Sequence, residues 1–272
     1  MTRAPATAKI NLALVVGATR DDGKHELATV YQRVALSDRI AIEQADRLRI
    51  DGFPEDTIVR QALESLAEAA GVSPRWYARV TKRIPVAAGL GGGSTDAATA
   101  LRLANATLLE PLPAHGLHVL AATLGADVPF FLTKGPQLGV GDGTELGPLD
   151  LPQDYAVVLL VPHDGVKEST AAVYRAFDEC DGSAGFEERR DALLATIPRV
   201  RRAEDLARLP RNDLASSAFS ARLEELGAFR ADVTGAGPAV YGLFLDQRRA
   251  RDAARALRGA GRTIVTTACW YG

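Results

Sequence analysis

Cysteine is scarce: Cys180 and Cys269 are the only two in 272 residues, far apart and without metal-type spacing. That excludes a disulfide framework and a cysteine-held zinc site, and the two read as reduced thiols. Histidine is scarce too. His25, His115, His118 and His163 are too scattered to argue for a metal centre, and the His115/His118 pair reads as a solvated helix start. The formal net charge of −2 gives no general attraction to nucleic acid or to an anionic membrane, so neither is expected as a partner. No apolar run reaches membrane-spanning length, no signal-peptide pattern opens the chain, and there are no internal repeats or low-complexity tracts. Cytoplasmic localisation is therefore the default expectation. Ordinary proportions remain, with 47% hydrophobic and 24% charged residues, enough for one large or two ordinary domains.

The pattern along the chain is mixed. "AKINLALVV" reads as a strand over Ala8–Val16, and "DRIAIEQ" and "DRLRIDG" as two shorter strands. "DTIVRQALESLAEAAG" has helical spacing, with Asp56 placed to cap it and Gly71 to end it. "WYARVTKRIP" alternates as a strand; "STDAATALRLANATLL" and "AHGLHVLAATLG" read as helices. Pro148 and Pro152 bracket a polar turn, which puts a boundary near residue 150 and two domains at 1–150 and 151–272. The second domain begins with the strand "AVVLLVP". It closes as strand, strand, helix, strand, an α+β arrangement with "TGAGPA" as a turn inside it.

Three segments carry chemistry. "PVAAGLGGGSTDAATAL", Pro85–Leu101, holds Gly89, Gly91, Gly92 and Gly93 between a strand and a helix. It is neither a Walker A loop, because Gly93 stands where lysine is needed, nor a dinucleotide fingerprint, because Ser94 stands where the third glycine is needed. The physics of both still applies: unpaired amides and a positive dipole end gather at one spot, and missing Cβ atoms let an anion approach. A flexible loop with a serine N-cap is the plainer reading. In the first strand Lys9 and Asn11 lie two residues apart, about 6.5 Å on one face, with Ile10, Leu12 and Leu14 expected on the other. Alone, Lys9 reads equally as a solvated edge-strand lysine. In "GADVPFFL", Asp127 is a carboxylate in an apolar setting or a turn cap.

Together these segments resemble the GHMP kinase superfamily, and within it the kinases whose acceptor is diphosphocytidyl methylerythritol. "AKINLALVV" is similar to the opening strand, "DDGKHELATVYQ" to the substrate loop and "KRIPVAAGLGGGSTDAA" to the ATP-binding motif. "LGADVPFFL" resembles the catalytic segment, "RNDL" a helix-start motif and "TGAGPAVYGLF" the third glycine-containing motif. The resemblance implies an α+β fold of two domains. The N-terminal one is an α/β domain with a left-handed βαβ unit, the C-terminal one is ferredoxin-like, and the active site lies in the cleft between them.

It further implies an ATP-dependent small-molecule kinase. Pro85, Val86, Ala87, Ala88, Gly89, Leu90, Gly91, Gly92, Gly93, Ser94 and Thr95 would wrap the ATP phosphates. Asp127 would be the base for the acceptor's 2-hydroxyl, and Lys9 its neighbour, stabilising charge on the transferring phosphoryl group. Asn11, Lys24, His25 and Thr170 would meet the acceptor. Mg²⁺ would accompany ATP, with Ser94 and Asp96 as possible ligands or contact through water. One departure stands out: the family usually has an aromatic residue just before the histidine of "DGxHEL", where it stacks on cytosine, and here Lys24 occupies it. Another acceptor within the superfamily, or a non-catalytic nucleotide-binding paralogue, are the competing readings; the latter is expected to have lost Lys9 or Asp127.

Overall fold

A computed structural model describes residues 1–53, 57–163 and 169–271. Asp56, expected to cap the first helix, lies outside the described residues. The first half runs β1 (Thr2–Thr19), β2 (His25–Gln44), β3 (Arg49–Asp51), α1 (Thr57–Ala69), β4 (Trp76–Thr81), α2 (Gly92–Asn105), α3 (Ala114–Leu124), β5 (Gln137–Gly141) and β6 (Glu145–Pro148). The second runs β7 (Ala156–Pro162), α4 (Thr170–Glu179), α5 (Phe186–Thr196), α6 (Ala218–Glu225), β8 (Arg230–Val233), β9 (Val240–Phe244), α7 (Gln247–Ala256) and β10 (Gly261–Thr267).

In the first sheet β2 is the spine. β1 lies antiparallel along one edge of β2, while β5 and then β4 pair with the other, and β6 and β3 extend the sheet outward. "DRIAIEQ" is thus the end of one 20-residue strand, not a separate one. β3 and β4 are parallel and joined through α1, which makes them the βαβ unit of this half. The second sheet has the order β10-β7-β9-β8, with every neighbouring pair antiparallel. With helices crossing over between β7 and β8 and between β9 and β10, that is the ferredoxin-like arrangement.

Alternation along the strands sorts side chains between layers. On β2, Ala28, Val30 and Val34 face a core shared with Val157, Leu159, Tyr241 and Leu243 of the second sheet. On its other side Tyr31, Ile40 and Ile42 face α1 and α2 through Val59, Leu63, Leu66, Ala97 and Leu101. The second sheet in turn puts Val158, Leu160, Val240 and Phe244 against α6 and α7. Each fully buried side chain of this kind is worth roughly 1.5–3 kcal/mol. The middle core belongs to both halves at once.

β1 carries an irregularity with consequences. Asn11 pairs with Tyr31 and Ala13 with Val30, which leaves Leu12 as an extra residue. Such a bulge shifts the in–out alternation by one. Leu14 therefore lines the same cleft as Lys9 and Asn11 instead of facing away with Ile10 and Leu12. Two boundaries also differ from the sequence reading. α2 starts at Gly92, capped by Gly91 without a side-chain hydrogen bond, so Ser94 lies inside the helix and is no N-cap. "RNDL" begins no helix: Asn212 donates from Nδ2 to the carbonyls of Val233 and Gly235, and the next helix starts at Ala218 behind Ser217.

Candidate active site

A cleft of about 910 Å³ opens between the two halves, within the usual range for small-molecule sites. Its lining comes mainly from β1, the β1–β2 turn and the start of β2, the glycine segment with the first turn of α2, the link after α3, the β5–β6 turn, α4, and the turn between β8 and β9.

Lys9 is at the centre. Its side chain is 4% exposed, and its ammonium donates to Asn11 Oδ1 at 2.8 Å and stands 3.2 Å from Asp127 Oδ2. Asn11 Nδ2 donates to Thr29 Oγ1 at 2.8 Å, and Thr29 donates to the carbonyl of Ala13. Asn11 is thus engaged within the protein and positions Lys9. Tyr31 lies below, with the Lys9 ammonium 5.7 Å from its ring centre. Burial, then the charge of Asp127, pushes its phenol well above the usual tyrosine range.

Asp127 owes its place to its neighbours. It follows α3 and precedes the buried Val128 and a 3₁₀ turn, Pro129–Leu132, whose Pro129, Phe130 and Phe131 are buried. Arg33 stacks on Phe130 and Phe131 and donates to the carbonyls of Phe130 and Thr133. Burial pushes that guanidinium down to about 10. The apolar turn is the anchor, and Asp127, 30% exposed, is the group left facing the cleft.

The glycine segment divides in two. Ala87, Gly89, Gly91 and Ser94 line the cleft, whereas the side chains of Ala88, Leu90 and Thr95 are buried. Pro85, Val86, Gly92 and Gly93 stand outside the cleft lining, with Val86 exposed. Gly89 has a φ of +83°, and a Cβ there would lie 2.3 Å from the Thr234 carbonyl. At Gly91, φ +69°, it would meet Phe131 and the Lys9 stem near 3 Å. A Cβ on Gly235 would in turn lie 3.5 Å from the Lys9 ammonium. The lysine threads between two bare stretches of backbone. α2 thus begins at the cleft, with Gly91 and Ser94 on its lining and the positive end of the helix dipole beside it.

Behind that turn sits a buried charge cluster. Lys82 Nζ donates to Asp38 Oδ2 at 2.5 Å and Asp96 Oδ2 at 2.6 Å, and Asp38 Oδ1 accepts the amides of Arg83 and Ile84. Burial works to lower the Lys82 ammonium, but Asp96 and Asp38 outweigh it and hold it above its ordinary value. Asp96, considered as a metal ligand, is thus buried against Lys82 and outside the cleft lining.

The other wall carries the remaining expected residues. Lys24 Nζ is 2.5 Å from Asp142 Oδ2 and half exposed. Burial raises the Asp142 carboxyl, but hydrogen bonds from Lys24 and Thr144 outweigh it and hold it below the usual carboxylate range. His25 Nε2 is 2.8 Å from Asp178 Oδ1, and its ring packs on Tyr174 with centres 4.6 Å apart. Thr170 opens α4 beside Ser169, whose side chain caps the helix.

Several cleft residues escaped the sequence reading. Gly235, Ala236 and Gly237 line the cleft, and Thr234 Oγ1 accepts the Asn11 amide at 3.1 Å. Their motif is legible as a turn and, through the resemblance, as the third glycine-containing motif, but none of its residues is assigned there to the site. Tyr174, Asp178 and Asp142 had no local signal, because each gains its meaning from a partner more than a hundred residues away. Among the described residues no group of three or more His, Cys, Asp or Glu is placed to hold a metal ion. No described helix is long and apolar enough to cross a membrane.

Comparison with known proteins places the whole chain. The family described as GHMP kinases N terminal domain matches residues 57–135, and that described as GHMP kinases C terminal matches 217–263. A 4-diphosphocytidyl-2-C-methyl-D-erythritol kinase of Moorella thermoacetica is 40% identical, covering 96% of this chain and 97% of its own. One of Cutibacterium acnes is 36% identical, covering 92% and 88%. The crystal structure of a 4-(cytidine 5'-diphospho)-2C-methyl-D-erythritol kinase superposes over the full length of both chains, with a TM-score of 0.79 at 32% identity. A mevalonate kinase structure reaches 0.78 at only 13% identity, a likeness of fold alone. With such relatives matched over nearly the whole of both chains, the chain belongs to the 4-diphosphocytidyl-2-C-methyl-D-erythritol kinase family of GHMP kinases.

Proposed function

We propose that the protein transfers the γ-phosphoryl group of ATP to the 2-hydroxyl of 4-diphosphocytidyl-2-C-methyl-D-erythritol, a step of the methylerythritol phosphate route to isoprenoids. The observation that carries this reading is the Lys9–Asp127 pair, 3.2 Å apart in the same cleft as the first turn of α2. Asp127 takes the proton as the 2-hydroxyl oxygen attacks phosphorus, the bond to the ADP oxygen breaks, and ADP leaves. Lys9 stabilises the charge that spreads over the transferring group. The glycine turn holds the ATP phosphates through backbone amides, chiefly at Gly89, Gly91 and Ser94. The cytidyl end lies along the other wall, by Lys24, His25 and Thr170, and Asn11 serves through its hold on Lys9. The active cleft falls between domains 1–150 and 151–272.

Mg²⁺ fits the donors that are there. It keeps several waters and relies on substrate phosphates, so it needs no cage of carboxylates, and Ser94 and Asp127 offer hard oxygens in the cleft. When bound, it would neutralise phosphate charge.

Release of ADP, measured with the cytidyl acceptor and with its uridyl and adenosyl analogues, tests the proposal. Preferred turnover of the cytidyl compound is expected. Turnover of a different alcohol with none of the cytidyl compound would reassign the chain's acceptor within the superfamily.

A further inference from the structure

We infer that Asp178 is a positioning residue for acceptor choice, fixing which nitrogen of His25 carries hydrogen and so what the ring offers to a base. The inference rests on the function proposed above.

His25 is the first residue of β2, and its side chain is only 10% exposed. Three contacts hold its ring from α4, in the other half of the molecule. Tyr174 covers one face at 4.6 Å, Phe177 meets it edge-on at 6.2 Å, and Asp178 Oδ1 lies 2.8 Å from Nε2. The Thr19 hydroxyl, 3.4 Å from the same nitrogen, is a weaker neighbour. An ionised carboxylate can only accept, so the short contact requires hydrogen on Nε2. In the neutral ring that leaves Nδ1 as a lone pair, and among the described residues Nδ1 has no hydrogen-bond partner. A lone pair fixed in this way pairs with an amino group and not with a carbonyl. Cytosine carries an exocyclic amino group where uracil carries oxygen, so the Asp178–His25 contact favours the first and rejects the second. Discrimination then comes from the leftover nitrogen, and α4 enforces it from across the cleft.

Two measurements test this. With only four histidines in the chain, nitrogen–proton correlation spectra report the tautomer of His25 directly, whatever the enzyme's substrate. The wild type should show a hydrogen-bearing Nε2, Asp178→Ala a mixture of tautomers, and Asp178→Asn, whose amide oxygen still accepts, the wild-type pattern. A mixture in the wild type would overturn the inference. In kinetics, Asp178→Ala should raise the KM of the cytidyl acceptor about tenfold and reduce its kcat/KM advantage over the uridyl analogue by a similar factor. The KM for ATP and kcat should stay within twofold, and Asp178→Asn should recover most of the loss. An unchanged base preference in Asp178→Ala, or an equal rise in the KM for ATP, would reduce Asp178 to a structural tie. Wild-type failure to turn over any cytidyl acceptor would overturn the proposed function and this use of the contact with it, while the spectra would still report the tautomer.

Discussion

Arg230 Nη2 donates to the carbonyl of Leu12 at 2.7 Å, so a guanidinium from the second half holds the bulge that aims Lys9 and Asn11. The same side chain donates to the carbonyls of Leu206, Leu209 and Pro210, and the Tyr241 hydroxyl also reaches Leu12. Arg230→Ala takes their donor from the Leu209 and Pro210 carbonyls, leaves Leu12 and Leu206 only the Tyr241 hydroxyl and the Leu209 amide, removes the cation 3.5 Å from the buried Asp232, and opens a void. It should lower stability by about 3–5 kcal/mol. Urea unfolding checks this, and a loss below about 1 kcal/mol would mean the carbonyls find other donors.

Asp127→Asn should keep ATP affinity and lower turnover by roughly 10²–10⁴, the usual range for a lost general base. Lys9→Met, which keeps an unbranched apolar stem between Gly91 and Gly235, should lower turnover comparably and leave the circular dichroism spectrum unchanged. Calorimetric ATP titration alongside single-turnover rates separates binding from chemistry. Turnover near wild type in Asp127→Asn would remove that carboxylate from the reaction.

Gly89→Ala and Gly93→Ala should behave oppositely. At residue 89 the new Cβ meets the Thr234 carbonyl at 2.3 Å in a backbone with φ +83°, so the glycine turn must move. At residue 93 the nearest atom, Ile58 Cγ2, is 3.5 Å away and the position is already helical. The first variant should lose most ATP affinity and several degrees of Tm; the second should keep both. Equal ATP binding by the two variants would show that the turn tolerates displacement.

Lys24→Tyr returns an aromatic ring to the acceptor wall. Base–aromatic stacking is worth roughly 1–3 kcal/mol, so the cytidyl acceptor should bind up to about tenfold more tightly, read by calorimetry without ATP. Lys24→Ala isolates the ion pair. Asp142 is held below its ordinary value in the fold, so its contribution is present above the unfolded carboxylate pKa of about 3.9. It is lost as pH falls through the lower folded value. Without Lys24 the carboxyl should titrate higher, seen by carbon NMR, and the stability lost near neutral pH should be under about 1 kcal/mol because the lysine is half exposed.

The three segments of the candidate site are legible in the sequence because each breaks a local rule. Lys9 and Asn11 interrupt an apolar strand, the glycines crowd a helix start, and Asp127 precedes buried aromatics. The bulge at Leu12 was not legible, since it exists only in the register with β2, and so Leu14 was expected on the wrong side. The start of α2 was missed for a related reason. Gly92 and Gly93 have poor helix propensity, but packing of Gly92 beside Ile84 and Lys82 draws them into the first turn. His25 could be picked out, yet Asp178 and Tyr174 could not: nothing near residue 178 says that residue 25 will face it.

The core shared by both halves limits how relatives of this chain can be recombined. The first sheet ends at Pro148 and the second begins at Ala156, so the link between them looks like the natural crossover for a chimera. Yet Ile10, Leu12, Val30 and Val34 pack in one cluster with Leu159, Tyr241 and Leu243, and the chain after β10 returns to pair Ala268 with Val34. A graft that splits these sets joins surfaces evolved apart, at the strand that carries Lys9. Grafts that exchange α7 alone, whose Ala250, Ala253 and Ala254 pack in a separate cluster, would preserve that fit, so the workable seams follow the buried layers and not the visible linker.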